Sequence, residues 1–280
     1  MNWVPYPVKS LIKVTEMFSF FLTDYKKGFS FSGEMHPFWE CVYVVKGAVS
    51  VSAEDRLYDL YEGDMIFHKP LEMHKFDVVS DSVASILVFS FNMEGELADH
   101  FVDKVYTLSD QQKKFVQELM EYAKSKIKDH DYTKPYPFLY LGEFRINRFY
   151  SQIVSSYIER MMLSLVSDGL EATVSDSPDS VVFRKAVDYM NEKILENPSI
   201  YDIARHVGTS TASLKRLFSK HTSLGVHKFF LKLKLKSAAE MLADGAKVTE
   251  VAYKFNFSSQ GYFSKVFKKE IGVNPSRYSR

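Results

Sequence analysis

The C-terminal half of this 280-residue chain repeats itself, and that repeat constrains the fold more than any other feature. One copy reads SIYDIARHVGTSTASLKRLFSK (199–220) and the other KVTEVAYKFNFSSQGYFSKVFKK (247–269). Ile200, Ile203, Ala204 and Val207 match Val248, Val251, Ala252 and Phe255, and Ser210 matches Ser258. After one extra residue, Leu214, Arg216 and Phe218 match Phe263, Lys265 and Phe267. Each copy has the parts of a helix-turn-helix. A first helix buries its apolar side, and Ala204 or Ala252 lets a second helix come close. Gly208 falls where the turn needs a left-handed residue. Asn256 takes that place in the second copy, which asparagine tolerates better than most residues. Ser210 and Ser258 are expected to cap the helices that follow.

Helical periodicity then divides each second helix into two faces. Leu214, Leu217 and Phe218 point inward, leaving Ala212 and Arg216 outward with Lys215 and Ser219 on the flank. Phe263, Val266 and Phe267 point inward in the second copy, leaving Gly261, Ser264, Lys265 and Lys268 outward, with Gln260 exposed in the first turn. Arginine and lysine reach guanine edges or phosphates, glutamine reads adenine, and serine reads either base or phosphate. Between the copies, VHKFFLKLKLKSAAEMLADG (226–245) reads as one helix from Val226 to Leu242. It would be roughly 25 Å long, a rigid spacer able to set two reading helices in successive major grooves. Charge agrees. Residues 179–280 carry 18 Lys and Arg against 9 Asp and Glu, a balance of +9, and residues 1–178 carry 18 against 26, a balance of −8. A basic half joined to an acidic one points to a polyanionic partner.

These residues resemble the AraC/XylS family of transcription regulators over Val181–Arg280. The most specific stretch is VAYKFNFSSQGYFSKVFKKEIGVNPSRYSR (251–280), through Ala252, Asn256, Phe257, Ser258, Gln260, Tyr262, Phe263, Lys265, Phe267, Lys268, Gly272, Pro275 and a basic end at Arg277 or Arg280. Two positions depart from the family pattern. Asn256 replaces the usual turn glycine, and Lys265 replaces an arginine, which removes a bidentate fork. The resemblance implies base-reading positions at Ala212, Lys215 and Arg216, and at Gln260, Gly261, Ser264 and Lys265. Ala212 and Gly261 offer little to hydrogen-bond with. The expected DNA-contacting set is Ser210, Ala212, Ser213, Lys215, Arg216, Ser258, Ser259, Gln260, Ser264, Lys265 and Lys268.

The N-terminal half has a different rhythm. CVYVV (41–45), VSVS (49–52), DMIF (64–67) and SILVFSF (85–91) are short apolar runs punctuated by Gly33, Gly47 and Gly63. They predict a small antiparallel β-barrel or sandwich. From Leu108 the period becomes helical. Phe115, Leu119 and Tyr122 mark one helix. A second carries an apolar stripe at Ile146, Phe149, Tyr150, Ile153, Val154, Tyr157, Ile158, Met161, Met162 and Leu165, with Asp129–Pro137 separating the two. Its length and width suit packing on its own domain or a symmetric dimer contact. The polar segment SDGLEATVSDSPDS (167–180) contains the linker, and Ser177-Pro178 reads as a cap followed by proline at the first helical position. The expected fold class is therefore two domains: an antiparallel, cupin-like β-barrel with accessory helices at 1–170 (helical part 108–168), a linker at 171–179, and an all-α domain with two helix-turn-helix units at 180–280.

The strand-rich part resembles a cupin barrel, a sensor common in this family, through Gly33, His36, Glu40, Gly47, Gly63, Asp64, Pro70 and His74. Metal-binding cupins carry His-x-His, then a glutamate, then a later histidine. Phe38 stands at the second histidine position, which leaves His36, Glu40 and His74. The resemblance then implies an organic effector in place of a metal. The expected effector site is His36, Phe38, Glu40 and His74, with no metal, no cofactor and no catalytic residue. Phe38, Trp39, Tyr43, Phe67 and Phe76 are nearby in sequence. An aromatic plate with a few polar groups suits a sugar or another polyol. The rival class is a metal-dependent cupin enzyme fused to a DNA-binding domain. Expected partners are double-stranded DNA, a small effector, RNA polymerase and a second copy of the chain. The single cysteine, Cys41, fits a reducing cytosol. MNWVPYPVKS lacks the form of a secretion signal, and no run is long enough to span a membrane, so a cytoplasmic protein is expected.

Overall fold

The computed structural model describes residues 5–126, 147–168, 170–171 and 178–278. Asp129–Pro137, Ile146, Ser177 and Arg280, named above, lie outside them. Among the described residues, nine strands form two antiparallel sheets. They are β1 (Lys13–Tyr25), β2 (Trp39–Lys46), β3 (Ala48–Ala53), β4 (Arg56–Tyr61), β5 (Asp64–His68), β6 (His74–Val78), β7 (Ala84–Glu94), β8 (Val105–Thr107) and β9 (Leu170–Glu171). One sheet runs β1-β7-β2-β5-β8-β9 and the other β4-β3-β6. The cupin-like sandwich is open, because among the described residues no ladder of paired strands joins one sheet to the other.

Strand alternation sorts the side chains of the large sheet onto two faces. Val42, Val44, Ile66, Ile86 and Val88 meet Val49, Val51, Leu60, Phe76 and Val78 of the small sheet in one core. Trp39, Cys41, Tyr43, Met65, Phe67, Leu87, Phe89 and Phe91 point the other way, beneath two helices. These are α1 (Asp110–Ser125), opened by a capping box of Ser109 and Gln112, and α2 (Arg148–Asp168). Most of the α2 stripe packs inward: Val154, Ile158, Met161, Met162 and Leu165 are buried in that second core. Phe149 and Ile153 remain exposed, as does Leu163. β9 adds to β8 before the chain turns to the C-terminal half, so the sheet extends to the start of the expected linker.

The C-terminal half is helical throughout: α3 (Pro178–Glu192), α4 (Ile200–His206), α5 (Thr211–Thr222), α6 (Val226–Ala243), α7 (Val248–Lys254), α8 (Gln260–Ile271) and α9 (Pro275–Tyr278). α4 with α5 and α7 with α8 are the two helix-turn-helix units, and α6 is the spacer, about 27 Å long at 1.5 Å per residue. Both turns use the left-handed conformation, Gly208 at φ +70° and Asn256 at φ +56°. Ser210 caps α5 by accepting from Ser213 N. In the second unit the cap is Ser259, which accepts from Tyr262 N, and not Ser258. The extra residue after Asn256 moves the start of α8 one place along.

Lys234 on α6 ties the second unit to the rest. It is 4% exposed, burial pushes its pKa down, and its Nζ donates to Asn197 Oδ1 at 2.7 Å and to the Phe255 carbonyl at 2.8 Å. Phe255 ends α7, so the ammonium satisfies a carbonyl at a helix terminus, where cations are favoured. Lys234→Met keeps the length of the side chain and removes both bonds. It should lower unfolding free energy by about 2 kcal/mol, since a buried carbonyl loses a charged donor. Urea denaturation of the full chain measures this, and an unchanged midpoint would show that the bonds contribute nothing.

Candidate functional site

Two sites emerge, one on each half. In the reading helices Leu214, Leu217, Phe218, Phe263 and Phe267 are buried, whereas Ala212, Lys215, Arg216, Gln260, Gly261, Lys265 and Lys268 are exposed. Ser210, Ser258 and Ser259 are exposed, and Ser213 and Ser264 are half-buried. Ser210 and Ser259 are engaged as caps, so their hydroxyls first serve the backbone. The outward faces assigned from periodicity are exposed among the described residues.

The second site is a cavity of about 590 Å³ between the two sheets. It brings together all four residues expected for the effector: His36, Phe38, Glu40 and His74. Phe38 is held in a three-ring stack, 4.1 Å from Phe18 and 3.9 Å from His36 between ring centroids. Tyr25, Phe29, Phe31 and Phe76 give a further aromatic wall. Trp39, Tyr43 and Phe67 instead lie on the helix side of the large sheet, in the other core.

Glu40 is the anionic centre. Burial opposes its charge, but His36 and His74 outweigh burial and hold its carboxyl well below the usual range. Ser90 Oγ donates to Glu40 Oε2 at 2.7 Å and lies 2.5 Å from Ser19 Oγ. His74 Nε2 stands 3.3 Å from Glu40 and 3.7 Å from Glu34. Burial alone would push its pKa down, yet the two carboxylates bring it up to about 10.

The sequence reading missed three polar residues here. Glu34 is tied to His74 by a pair of backbone hydrogen bonds, at 3.0 and 3.1 Å, which carry its carboxylate to the cavity floor. His68 lies opposite Glu40 across β2 and β5, stacks on His74 at 4.2 Å, and bonds buried Glu72 at 2.6 Å. Ser90 lies opposite Glu40 across β2 and β7. The inward phase of Glu40 would have marked His68 and Ser90 once the strand pairing was known. Phe38, expected where a ligand histidine would stand, is a stacking residue, and the carboxylate that joins the cluster is Glu34.

The cavity adjoins the helical half. Gly33, at φ +81°, would bring a Cβ to 3.2 Å from the carbonyls of His74 and Thr222, so only glycine fits without movement. Lys75 Nζ donates to the Lys220 carbonyl at 2.7 Å, and Ser52 Oγ donates to the His221 carbonyl, both near the end of α5. Lys236 on α6 bonds both oxygens of Glu54, at 2.5 and 2.8 Å. Met35, Leu71 and Met73 are buried in the core of the C-terminal half.

Two open reading helices joined to a ligand-sized cavity define a DNA-binding regulator with a sensor. Residues 203–280 match a helix-turn-helix domain family and residues 19–121 match the AraC-like ligand binding domain family. The chain belongs to the AraC/XylS family of transcription regulators, and it is a DNA-binding regulator with a ligand-binding domain. It is similar to the HTH-type transcriptional regulator YfiF of Bacillus subtilis, 23% identical over 87% of this chain and 77% of that protein. It is also similar to the regulatory protein PocR of Salmonella typhimurium, 26% identical over 40% of this chain but only 37% of that protein. The raffinose operon transcriptional regulatory protein RafR of Pediococcus pentosaceus is 26% identical over 54% of each chain. Among the described residues no helix is long and apolar enough to cross a membrane.

Because Arg216 is exposed on the outward face of α5, Arg216→Ala should weaken binding of the full chain to its operator by about 1–3 kcal/mol, the worth of a bidentate guanine contact. Its melting temperature should stay unchanged. A large fall in melting temperature with undiminished affinity would assign Arg216 to the fold instead.

Proposed function

We propose that the chain is a transcription regulator whose effector is a small polar molecule, a sugar, bound among His36, Phe38, Glu40 and His74. The observation that carries this reading is the composition of the cavity: a polar floor of Glu34, His36, Glu40 and His74 beneath an aromatic wall. A carboxylate accepts hydroxyl protons, an imidazole donates or accepts them, and aromatic faces pack on apolar sugar C–H surfaces. The name of RafR, which ties that relative to a raffinose operon, supports the choice of sugars as the first class to screen. Reading at the DNA is assigned to Lys215, Arg216, Gln260, Ser264, Lys265 and Lys268, with Ser210, Ser213, Ser258 and Ser259 near the phosphates and Ala212 as a contact without hydrogen bonds.

The same cavity wall contacts the reader. β6 contributes His74 to the cavity and Lys75 to the end of α5. A ligand shifts an equilibrium only through different affinity for its two states. Ordering His74 and Glu34 around a ligand would supply that difference by altering how β6 holds α5. The rival reading, an enzyme fused to a DNA-binding domain, would require a compound to be turned over in the cavity. It has less support than an effector that is bound and released, since the matching N-terminal family is described by ligand binding.

A thermal-shift screen of sugars against the full chain should find a stabilising compound that also changes operator affinity. Glu40→Gln with His74→Ala should abolish that response and leave basal DNA binding intact. A normal response in the double variant would place the effector elsewhere. A second copy is proposed to pair through the exposed part of the α2 stripe, Phe149 and Ile153, with exposed Leu163 alongside. Phe149→Glu with Ile153→Glu should convert a dimer to a monomer by light scattering, and a wild-type chain already monomeric at micromolar concentration would refute the pairing.

A further inference from the structure

His36 and His74 are oriented by the same device. His36 Nδ1 lies 3.0 Å from the Phe38 carbonyl and His74 Nδ1 lies 3.0 Å from the Glu72 carbonyl. A carbonyl only accepts, so both Nδ1 atoms carry the proton and both Nε2 atoms are turned toward the cavity floor. Each Nε2 is buried and, among the described residues, without a hydrogen bond. His36 Nε2 is 3.6 Å from Glu40 Oε2 and 4.0 Å from Glu34 Oε1, and His74 Nε2 is 3.3 Å from Glu40 Oε1 and 3.7 Å from Glu34 Oε1. The donor atoms of all four residues lie within 4.8 Å of one another. The His36, Glu40 and His74 side chains are 11%, 10% and 4% exposed, so water screens little of this charge.

Two carboxylates and two imidazoles converge on one small volume, and their arrangement matches a ligand shell. Bonds of about 2.0–2.2 Å place neighbouring donors roughly 3.0–3.5 Å apart; the histidine–carboxylate pairs at 3.3–4.0 Å are already near that, and the widest separation, within 4.8 Å, would close by about 1 Å. Imidazoles that bind metal regularly donate their other N–H to a carbonyl, as both do here. Glu40 is oriented from behind by Ser90, and Glu34 is held beside His74 by its backbone bridge.

We propose that Glu34, His36, Glu40 and His74 form a site for one divalent transition-metal ion, with Glu34 supplying the donor that the His-x-His pattern lacks. Two imidazoles and two carboxylates suit Zn²⁺, Mn²⁺ or Co²⁺ better than Mg²⁺ or Ca²⁺, which prefer oxygen alone. If the ion's shell expanded beyond these four donors, effector hydroxyls in the cavity could complete it. The inference replaces the expectation that this site holds no metal. It rests on the reading of the cavity as the effector site, and narrows the effector to a molecule that can place hydroxyls on a bound ion.

The test is titration of the full chain, stripped with a chelator and desalted, with Zn²⁺ followed by calorimetry and with Co²⁺ followed by its visible absorption. One ion per chain should bind, with the intense visible bands of four- or five-coordinate Co²⁺. Glu34→Gln should weaken binding tenfold or more, and His74→Asn should abolish it. Glu34 is nearly half exposed, so its variant is expected to fold and decides the matter alone if His74→Asn does not fold. Lack of saturable binding of either ion, or equal affinity in wild type and Glu34→Gln, overturns the proposal. No organic compound is present in this titration, and the sugar screen is run in chelator as well as with Zn²⁺. Failure of the metal site and failure of the effector reading are thus separate results.

Discussion

The two halves meet along the small sheet, with β6 at the centre of the contact. β6 places His74 among the carboxylates of the cavity, and the next residue, Lys75, grips the backbone at the end of the first reading helix. The ladder to β3 holds the β6 backbone, so His74 and Lys75 are fixed side by side on opposite faces of one strand. Ser52 on β3 reaches the adjacent carbonyl of His221, and Glu54 just beyond β3 holds Lys236 on the spacer helix. The sensor thereby touches the end of one reader and the rod that sets the distance to the other, while leaving both reading faces open.

This arrangement explains why charged groups are tolerated so far inside the N-terminal half. A buried carboxylate is costly unless paired and hydrogen-bonded. Glu40 has two histidines and Ser90, and Glu54 has the Lys236 ammonium. Glu54 still has its pKa raised, because burial outweighs Lys236 and Lys69 together. Such groups add little to net stability, but removing one partner strands the other.

The helical half was legible almost residue by residue, because its signals are local. Turn residues, caps and a 3.6-residue period all lie within one copy of the repeat, and only the cap shift from Ser258 to Ser259 escaped. The N-terminal half was legible in class but not in detail. β1 was missed because register shifts between Val14 and Glu16 and between Met17 and Ser19 break its alternation. β6 was missed because HKFDV carries charge where a buried strand normally shows apolar residues. Glu34 could not be assigned, because its role depends on a bridge to His74, forty residues away. The α2 stripe is wide enough on paper for a partner copy, yet most of its described residues pack on the N-terminal core, and of those described Phe149 and Ile153 stay exposed.

The central claim is that two reading helices, set apart by α6, engage DNA together. Hydroxyl-radical footprinting of the full chain on the DNA upstream of its own gene tests this most directly. The account predicts two protected patches on one face of the duplex, about 10 base pairs apart, for each bound chain. A single patch per chain, or protection without that spacing, would show that only one unit reads DNA and that the repeat serves packing alone.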